Sequence, residues 1–168
     1  DDTKQMLNAL KALKIEFNIL DKKDILIKGC SHNFLNKNTK LALGNAGTAF
    51  RPLTAVLAVM GGTYELKGVS RMHERPIKDL VDALTQIGAK IDYLGSEGYP
   101  PLKINPGKIK CNKNINIKGD VSSQYLTALL IAGPLCDQDL KIQITGDLIS
   151  KPYIDITLKL LAKFGIKY

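Results

Sequence analysis

The sequence has no tryptophan, only 6% aromatic residues and just two histidines. A platform for stacking nucleic-acid bases is therefore not evident. His32 and His73, with scattered cysteines, offer no clustered metal site. Cys30, Cys111 and Cys136 are odd in number, widely spaced and free of any CxxC pair, so they read as reduced thiols of a cytosolic protein. No apolar run reaches membrane-spanning length and no signal peptide opens the chain. An initiator Met is lacking as well. The sequence starts at Asp1-Asp2, directly on a helical pattern, and reads as a piece cut from something longer.

What is present is a chain of 168 residues with 24 Lys+Arg against 16 Asp+Glu, a formal charge of +8. That length fits one domain or two small ones with a proper core. The basic excess points to an anionic partner: a phosphorylated metabolite, nucleic acid or a membrane surface. A lysine-rich surface with no specific partner explains it too. The lysines are scattered rather than run together, which argues against nucleic acid.

The organising stretch is Leu43-Gly44-Asn45-Ala46-Gly47-Thr48-Ala49-Phe50-Arg51-Pro52, followed by an apolar run to Met60. Glycines let backbone amides approach a ligand closely. A helix start offers unpaired N–H groups and a dipole that favour anions. Taken alone, this reads better as an ordinary strand-to-helix turn with Thr48 as a cap, and the anion reading gains only because the arrangement recurs downstream.

In chain order, the spacing predicts a helix over 2–13, capped by Asp1 or Asp2, then a hairpin of 15–20 and 24–28 turning at Asp21-Lys22-Lys23. Residues 29–40 read as a polar loop. A helix over 49–60, a strand over 63–67 and a helix over 77–87 follow, then strands over 89–94 and 101–104. Residues 108–117 hold a strand or two. The pattern continues with a helix within 120–135, a strand over 139–144, a helix from Pro152 to Gly165 and a final strand over 166–168.

The pattern repeats. Leu53-Thr54-Ala55-Val56-Leu57 returns as Leu126-Thr127-Ala128-Leu129-Leu130, and Arg75-Pro76-Ile77-Lys78-Asp79 as Lys151-Pro152-Tyr153-Ile154-Asp155. Met6-Leu7-Asn8-Ala9-Leu10 matches Leu80-Val81-Asp82-Ala83-Leu84 at nearly the same separation. The expected fold is α/β: a pseudo-threefold repeat of strand-helix-strand-helix-strand-strand units, an inside-out barrel with apolar helices buried and sheets outside. The first unit lacks its apolar half. Each apolar helix starts on a small polar cluster and each amphipathic one on a basic-Pro pair. If the units run parallel, these starts meet at one end and gather amides, hydroxyls and positive charge, as an anionic substrate requires.

These residues strongly resemble the 5-enolpyruvylshikimate-3-phosphate synthase family. The matching stretches are Leu43 to Pro52, Arg71-Met72-His73-Glu74-Arg75-Pro76, Asp120-Val121-Ser122-Ser123-Gln124-Tyr125-Leu126-Thr127-Ala128-Leu129 and Ser150-Lys151-Pro152-Tyr153-Ile154-Asp155-Ile156-Thr157. The resemblance covers essentially the whole chain. It implies transfer of the enolpyruvyl group of phosphoenolpyruvate to the 5-hydroxyl of shikimate 3-phosphate, with release of phosphate, and it implies no cofactor and no metal. It makes residues 1–168 most of the N-terminal, substrate-binding domain of a two-domain, monomeric, cytoplasmic enzyme. Ser122, Ser123 and Ser150 would hold the substrate phosphate, and Gln124 and Tyr153 the shikimate part. Arg75 would pair with phosphoenolpyruvate, with Asn45, Gly47, Thr48 and Gln124 shaping a pocket that in the family also takes the herbicide glyphosate.

Hydroxyls at a helix start suit a phosphate, and a guanidinium can clamp a carboxylate or phosphate in a fork. A routine cap explains Ser150 equally, and half-buried packing explains Tyr153. Arg51 and Arg71 read as structural or surface residues, and His73 is given no role. The family's first-unit Gly-Ser-Lys-Ser motif and its second-domain proton-transfer groups are not in this sequence. The chain alone is therefore expected not to turn over. No nucleic-acid or membrane partner is expected. The alternative is a basic α/β module binding RNA or another polyanion, and a purely structural repeat scaffold ranks behind both.

Overall fold

The structure is a computed structural model that describes residues 2–21, 24–31 and 33–168. Helix α1 (Asp2–Ala12) leads into an antiparallel hairpin of β1 (Phe17–Ile19) and β2 (Ile25–Ile27). The predicted turn residues Lys22 and Lys23, and the alternative cap Asp1, lie outside the described residues. Strand β3 (Asn38–Ala42) runs into helix α2 (Gly47–Met60). Strand β4 (Thr63–Lys67), short helix α3 (Ser70–His73), helix α4 (Lys78–Gln86) and strands β5 (Lys90–Tyr93) and β6 (Leu102–Asn105) follow. Strand β7 (Ile115–Lys118), helix α5 (Ser123–Ala132) with a 3-10 turn over Gly133–Leu135, strand β8 (Ile142–Thr145) and helix α6 (Lys151–Lys163) complete the order.

Strands β3, β4, β6 and β5 form one sheet in that order. The β3–β4 pair is parallel, and β6 is antiparallel to both of its neighbours. The β7–β8 pair is parallel again. The same order, strand, apolar helix, parallel strand, amphipathic helix, thus occurs over 38–86 and 115–163. A parallel pair needs a crossover, and α2 and α5 supply it.

The apolar helices are central. Helix α2 buries Phe50, Leu53, Ala55, Leu57 and Ala58, and α5 buries Tyr125, Leu126, Ala128, Leu129 and Ala132. The two pack on each other. Leu41, Tyr64, Leu66, Leu102 and Ile104 of the sheet and Leu80, Val81 and Leu84 of α4 join the same core. Each such side chain contributes about 1.5–3 kcal/mol on burial. The β1–β2 hairpin lies apart from this core, with Leu20 and Leu26 exposed.

Four expectations need correction. Residues 38–42 are not loop but a strand, because β4 pairs with them although only Leu41 is buried. Helix α2 begins at Gly47 rather than 49, which brings Gly47 and Thr48 into its first turn. The last residues, 166–168, form no strand, since no described strand pairs with them. Finally, Cys111 and Cys136 form a disulfide, and only Cys30 is free. The turn after α5 packs beside α2, and this returns Cys136 to the loop before β7.

Candidate functional site

The helix starts gather at one end. Tyr125, in the first turn of α5, donates its hydroxyl to Pro76 O at 2.6 Å, just before α4. Arg51, in the first half of α2, donates from Nη2 to the same carbonyl at 3.1 Å. Thr127 and Thr157 hydroxyls meet at 3.3 Å and tie the early turns of α5 and α6. Thr48 Oγ1 donates to the Asp2 carboxylate, which joins the start of α1 to that of α2. At the opposite end, Val59 and Leu135 line one cavity. Helices α2 and α5 therefore run parallel.

Local sequence explains each start. Gly44 takes a left-handed φ of 54° in the turn from β3, which glycine adopts without steric cost. The α2 N-cap is Ala46, with no side-chain cap, so Thr48 is not the cap. Ser122 caps α5 and accepts from Gln124 N at 3.3 Å. Ser150 caps nothing with its side chain and holds φ at 56°, a left-handed conformation that costs a non-glycine residue about 1–2 kcal/mol. Its hydroxyl is not committed to a capping bond. Tyr153, one turn on, is 65% exposed and is not half-buried packing.

Gly47 is buried between two cations. A Cβ there would lie 2.6 Å from Arg75 Nη2 and 3.1 Å from Arg51 Nη1. Arg75 is half-buried and donates from Nη1 to Asn45 O at 3.1 Å. Among the described residues no carboxylate pairs with Arg75 or Arg51. Burial, and then the Arg75 charge, pushes the Arg51 guanidinium below its usual range, while Tyr125 partly offsets both. Burial likewise raises the Tyr125 phenol, against the nearby Arg51 charge. The chemistry on offer is a pair of uncompensated guanidiniums beside uncapped helix amides, with Ser122, Ser123 and Gln124 half-buried on the neighbouring start. Such an end attracts phosphate or carboxylate. No group of three His, Cys, Asp or Glu able to hold a metal occurs among the described residues.

A family model for EPSP synthase (3-phosphoshikimate 1-carboxyvinyltransferase) matches residues 1–168. The chain belongs to the EPSP synthase family. It is 55% identical over 170 residues to the 3-phosphoshikimate 1-carboxyvinyltransferase of Cupriavidus necator and 56% identical over 167 to that of Neisseria meningitidis serogroup B. In both cases the match covers 99% of this chain and 39% of the relative. The chain thus spans about two fifths of the curated relatives it matches. The fold agrees with an EPSP synthase structure from Acinetobacter baumannii at TM-score 0.80 and 22% identity, over 98% of this chain and 36% of that one. A polyanion- or RNA-binding module finds no support beside this membership of the EPSP synthase family. No helix among the described residues is long and apolar enough to cross a membrane.

Of the residues singled out in the sequence, Asn45, Gly47, Thr48 and Arg75 come together at the α2 start, and Tyr125 links Ser122–Gln124 to them. Ser150 and Tyr153 stand at the α6 start. Arg71 pairs with Glu74 at 2.6 Å on the surface, as its reading required. His73 accepts from Gly68 N at 3.2 Å and braces the segment leading to Arg75. Arg51, read from the sequence as structural or surface, is buried and hydrogen-bonded to Pro76 O. Its position four residues after Gly47 sets both on one helix face, and that spacing was the available signal.

Proposed function

We propose that this chain supplies the shikimate 3-phosphate face of an enolpyruvyl transferase. The whole enzyme moves the enolpyruvyl group of phosphoenolpyruvate onto the 5-hydroxyl of shikimate 3-phosphate and releases phosphate, a step toward chorismate and the aromatic amino acids. Residues 1–168 form most of its N-terminal domain, built on a pseudo-threefold repeat with apolar helices inside and sheets outside. A second domain closes over the gathered helix starts. The whole enzyme is a cytoplasmic monomer.

Ser122, Ser123 and Ser150 bind the substrate phosphate, and Gln124 and Tyr153 hold the shikimate ring. Arg75 clamps phosphoenolpyruvate or glyphosate, with Asn45, Gly47, Thr48 and Gln124 shaping its pocket. The observation that supports this reading best is the unpaired Arg75 and Arg51 charge at Gly47, beside helix starts that carry hydroxyls. A neutral hydroxyl donates to a dianion without adding charge, while a guanidinium matches a carboxylate in a fork. The groups that move protons in the transfer belong to the facing domain. The chain alone therefore binds but does not turn over, since both faces are needed to orient two substrates and exclude water.

The test is an NMR titration with shikimate 3-phosphate, with plain phosphate as control. Saturable shifts at Ser122–Gln124 and Ser150–Tyr153 are expected. A folded sample with no specific shift there refutes the binding assignment. Phosphate release that tracks the purified chain refutes its inactivity.

A further inference from the structure

Arg51 is only 3% exposed, yet among the described residues its partners, Tyr125 included, are neutral. Nη2 donates to the Pro76 carbonyl, Nη1 to Met72 Sδ at 3.2 Å, and Nε is buried with no acceptor. A buried guanidinium normally carries a carboxylate with it, because taking an unpaired charge out of water is costly. Here the nearest charge is a second cation. Arg75 reaches the same point above Gly47. If Arg51 only filled space behind Pro76, an apolar side chain of similar volume would do so without the desolvation cost. The charge itself requires an explanation.

We propose that Arg51 is a positioning residue of the anion site: it strengthens the positive field at Gly47 and, through Pro76 O, holds the backbone from which Arg75 reaches its ligand. The counter-charge Arg51 lacks is supplied by the bound anion, a phosphate- or carboxylate-bearing ligand. The proposal rests on the reading of this end as an anion site. Shared anchoring fits the role. Pro76 O accepts from both Arg51 and Tyr125, so α2 and α5 jointly fix the residue that follows Arg75. The two guanidiniums above Gly47 repel each other, and anion binding relieves that repulsion. Binding to the folded state alone appears as added stability.

The experiment compares the chain with Arg51→Met, Arg51→Lys and, as control, Arg75→Gln. Thermal unfolding and Gly47 amide shifts are followed with inorganic phosphate and with phosphoenolpyruvate. Arg51→Met should unfold no earlier than the parent without anion, lose the anion-linked rise in Tm and bind about tenfold more weakly or worse. Arg51→Lys, which keeps the charge, should restore most of the affinity. In the parent chain, the buried Arg51 Nε–H resonance should move in step with Gly47 as anion saturates. A parent-like anion affinity in Arg51→Met, or an Nε–H resonance unmoved at saturation, overturns the role of Arg51. A folded parent chain with no saturable anion binding overturns the underlying site instead, and Arg75→Gln then matches the parent.

Discussion

An alanine at position 47 would set its methyl carbon 2.6 Å from Arg75 Nη2, 3.0 Å from Arg75 Nη1 and 3.1 Å from Arg51 Nη1. The backbone itself raises no objection, since Gly47 is not among the residues with positive φ. In a helix, alanine is about 0.5–1 kcal/mol better than glycine. Something must still give way, and Arg51 is enclosed. Arg75 is the movable partner, being half-buried and, among the described residues, anchored at the tip by Asn45 O. Gly47→Ala should therefore leave stability unchanged or raise Tm by a few degrees, while it swings the Arg75 guanidinium off its ligand. A hydrogen bond to a charged group is worth about 1.5–3 kcal/mol, so affinity for phosphoenolpyruvate should fall about 10- to 100-fold. The assay pairs calorimetry with an NMR titration of phosphoenolpyruvate in the presence of shikimate 3-phosphate. Binding of shikimate 3-phosphate itself should change far less, because the residues proposed to hold it stand at the starts of α5 and α6. Unchanged phosphoenolpyruvate affinity, or a large fall in Tm, would refute the reasoning.

Ser150→Gly should stabilise the chain by about 1 kcal/mol in urea titrations, by releasing the left-handed strain, and should weaken shikimate 3-phosphate several-fold. A destabilised variant would sink that account of its backbone. Cys136→Ser should cost about 3 kcal/mol, given the 25-residue separation from Cys111, and should make Tm insensitive to a thiol reductant, whereas the parent's Tm falls on reduction. Above neutrality the phenols decide stability. Burial pushes Tyr93 up to about 12, helped by Asp82, and raises Tyr125 and Tyr64. The folded chain keeps phenol protons that the unfolded chain releases near pH ~10, so stability is retained below that pH and falls as pH rises toward about 12. Tyr93→Phe should flatten that decline in urea midpoints, and it also removes a buried hydroxyl with no partner.

Legibility followed the range of the interactions. The helices at 47–60 and 123–132 are long, apolar and glycine-bounded, so local pattern sufficed for both. Strand β3 escaped because Asn38, Thr39 and Lys40 carry no apolar alternation; only pairing with β4, beyond α2, makes them a strand. Residues 166–168 looked like a strand by composition, but a strand exists only where a neighbour accepts its ladder. The Cys111–Cys136 pairing could not be read from spacing, because the packing of α2 against α5 creates it. The convergence of the helix starts was legible, since small polar clusters and basic-Pro pairs recur at matched places. The burial of Arg51 was not, because an arginine in a helix ordinarily faces water.

Three departures from local structural rules meet where the helix starts converge, and this has a physical basis. Helix α2 starts without a side-chain cap, Ser150 sits in a left-handed well, and Arg51 is buried without a counter-ion. Each costs stability, and all three lie where the helix starts converge. The far ends carry strain too, since Lys14 just past α1 holds a left-handed φ of 59°, but they are tied by neutral contacts: the Gln86 side chain at the end of α4 trades two hydrogen bonds with Asn116 of β7, and the turn after α5 is held by a disulfide. On the proposed reading, the departures at the helix starts leave donors and positive charge free for a ligand at a cost in stability. An anion bound there as proposed would offset that cost, which couples ligand binding to stability at this end. Variants that raise stability there by local repair should therefore lose affinity, whereas repairs at the far end should raise stability alone.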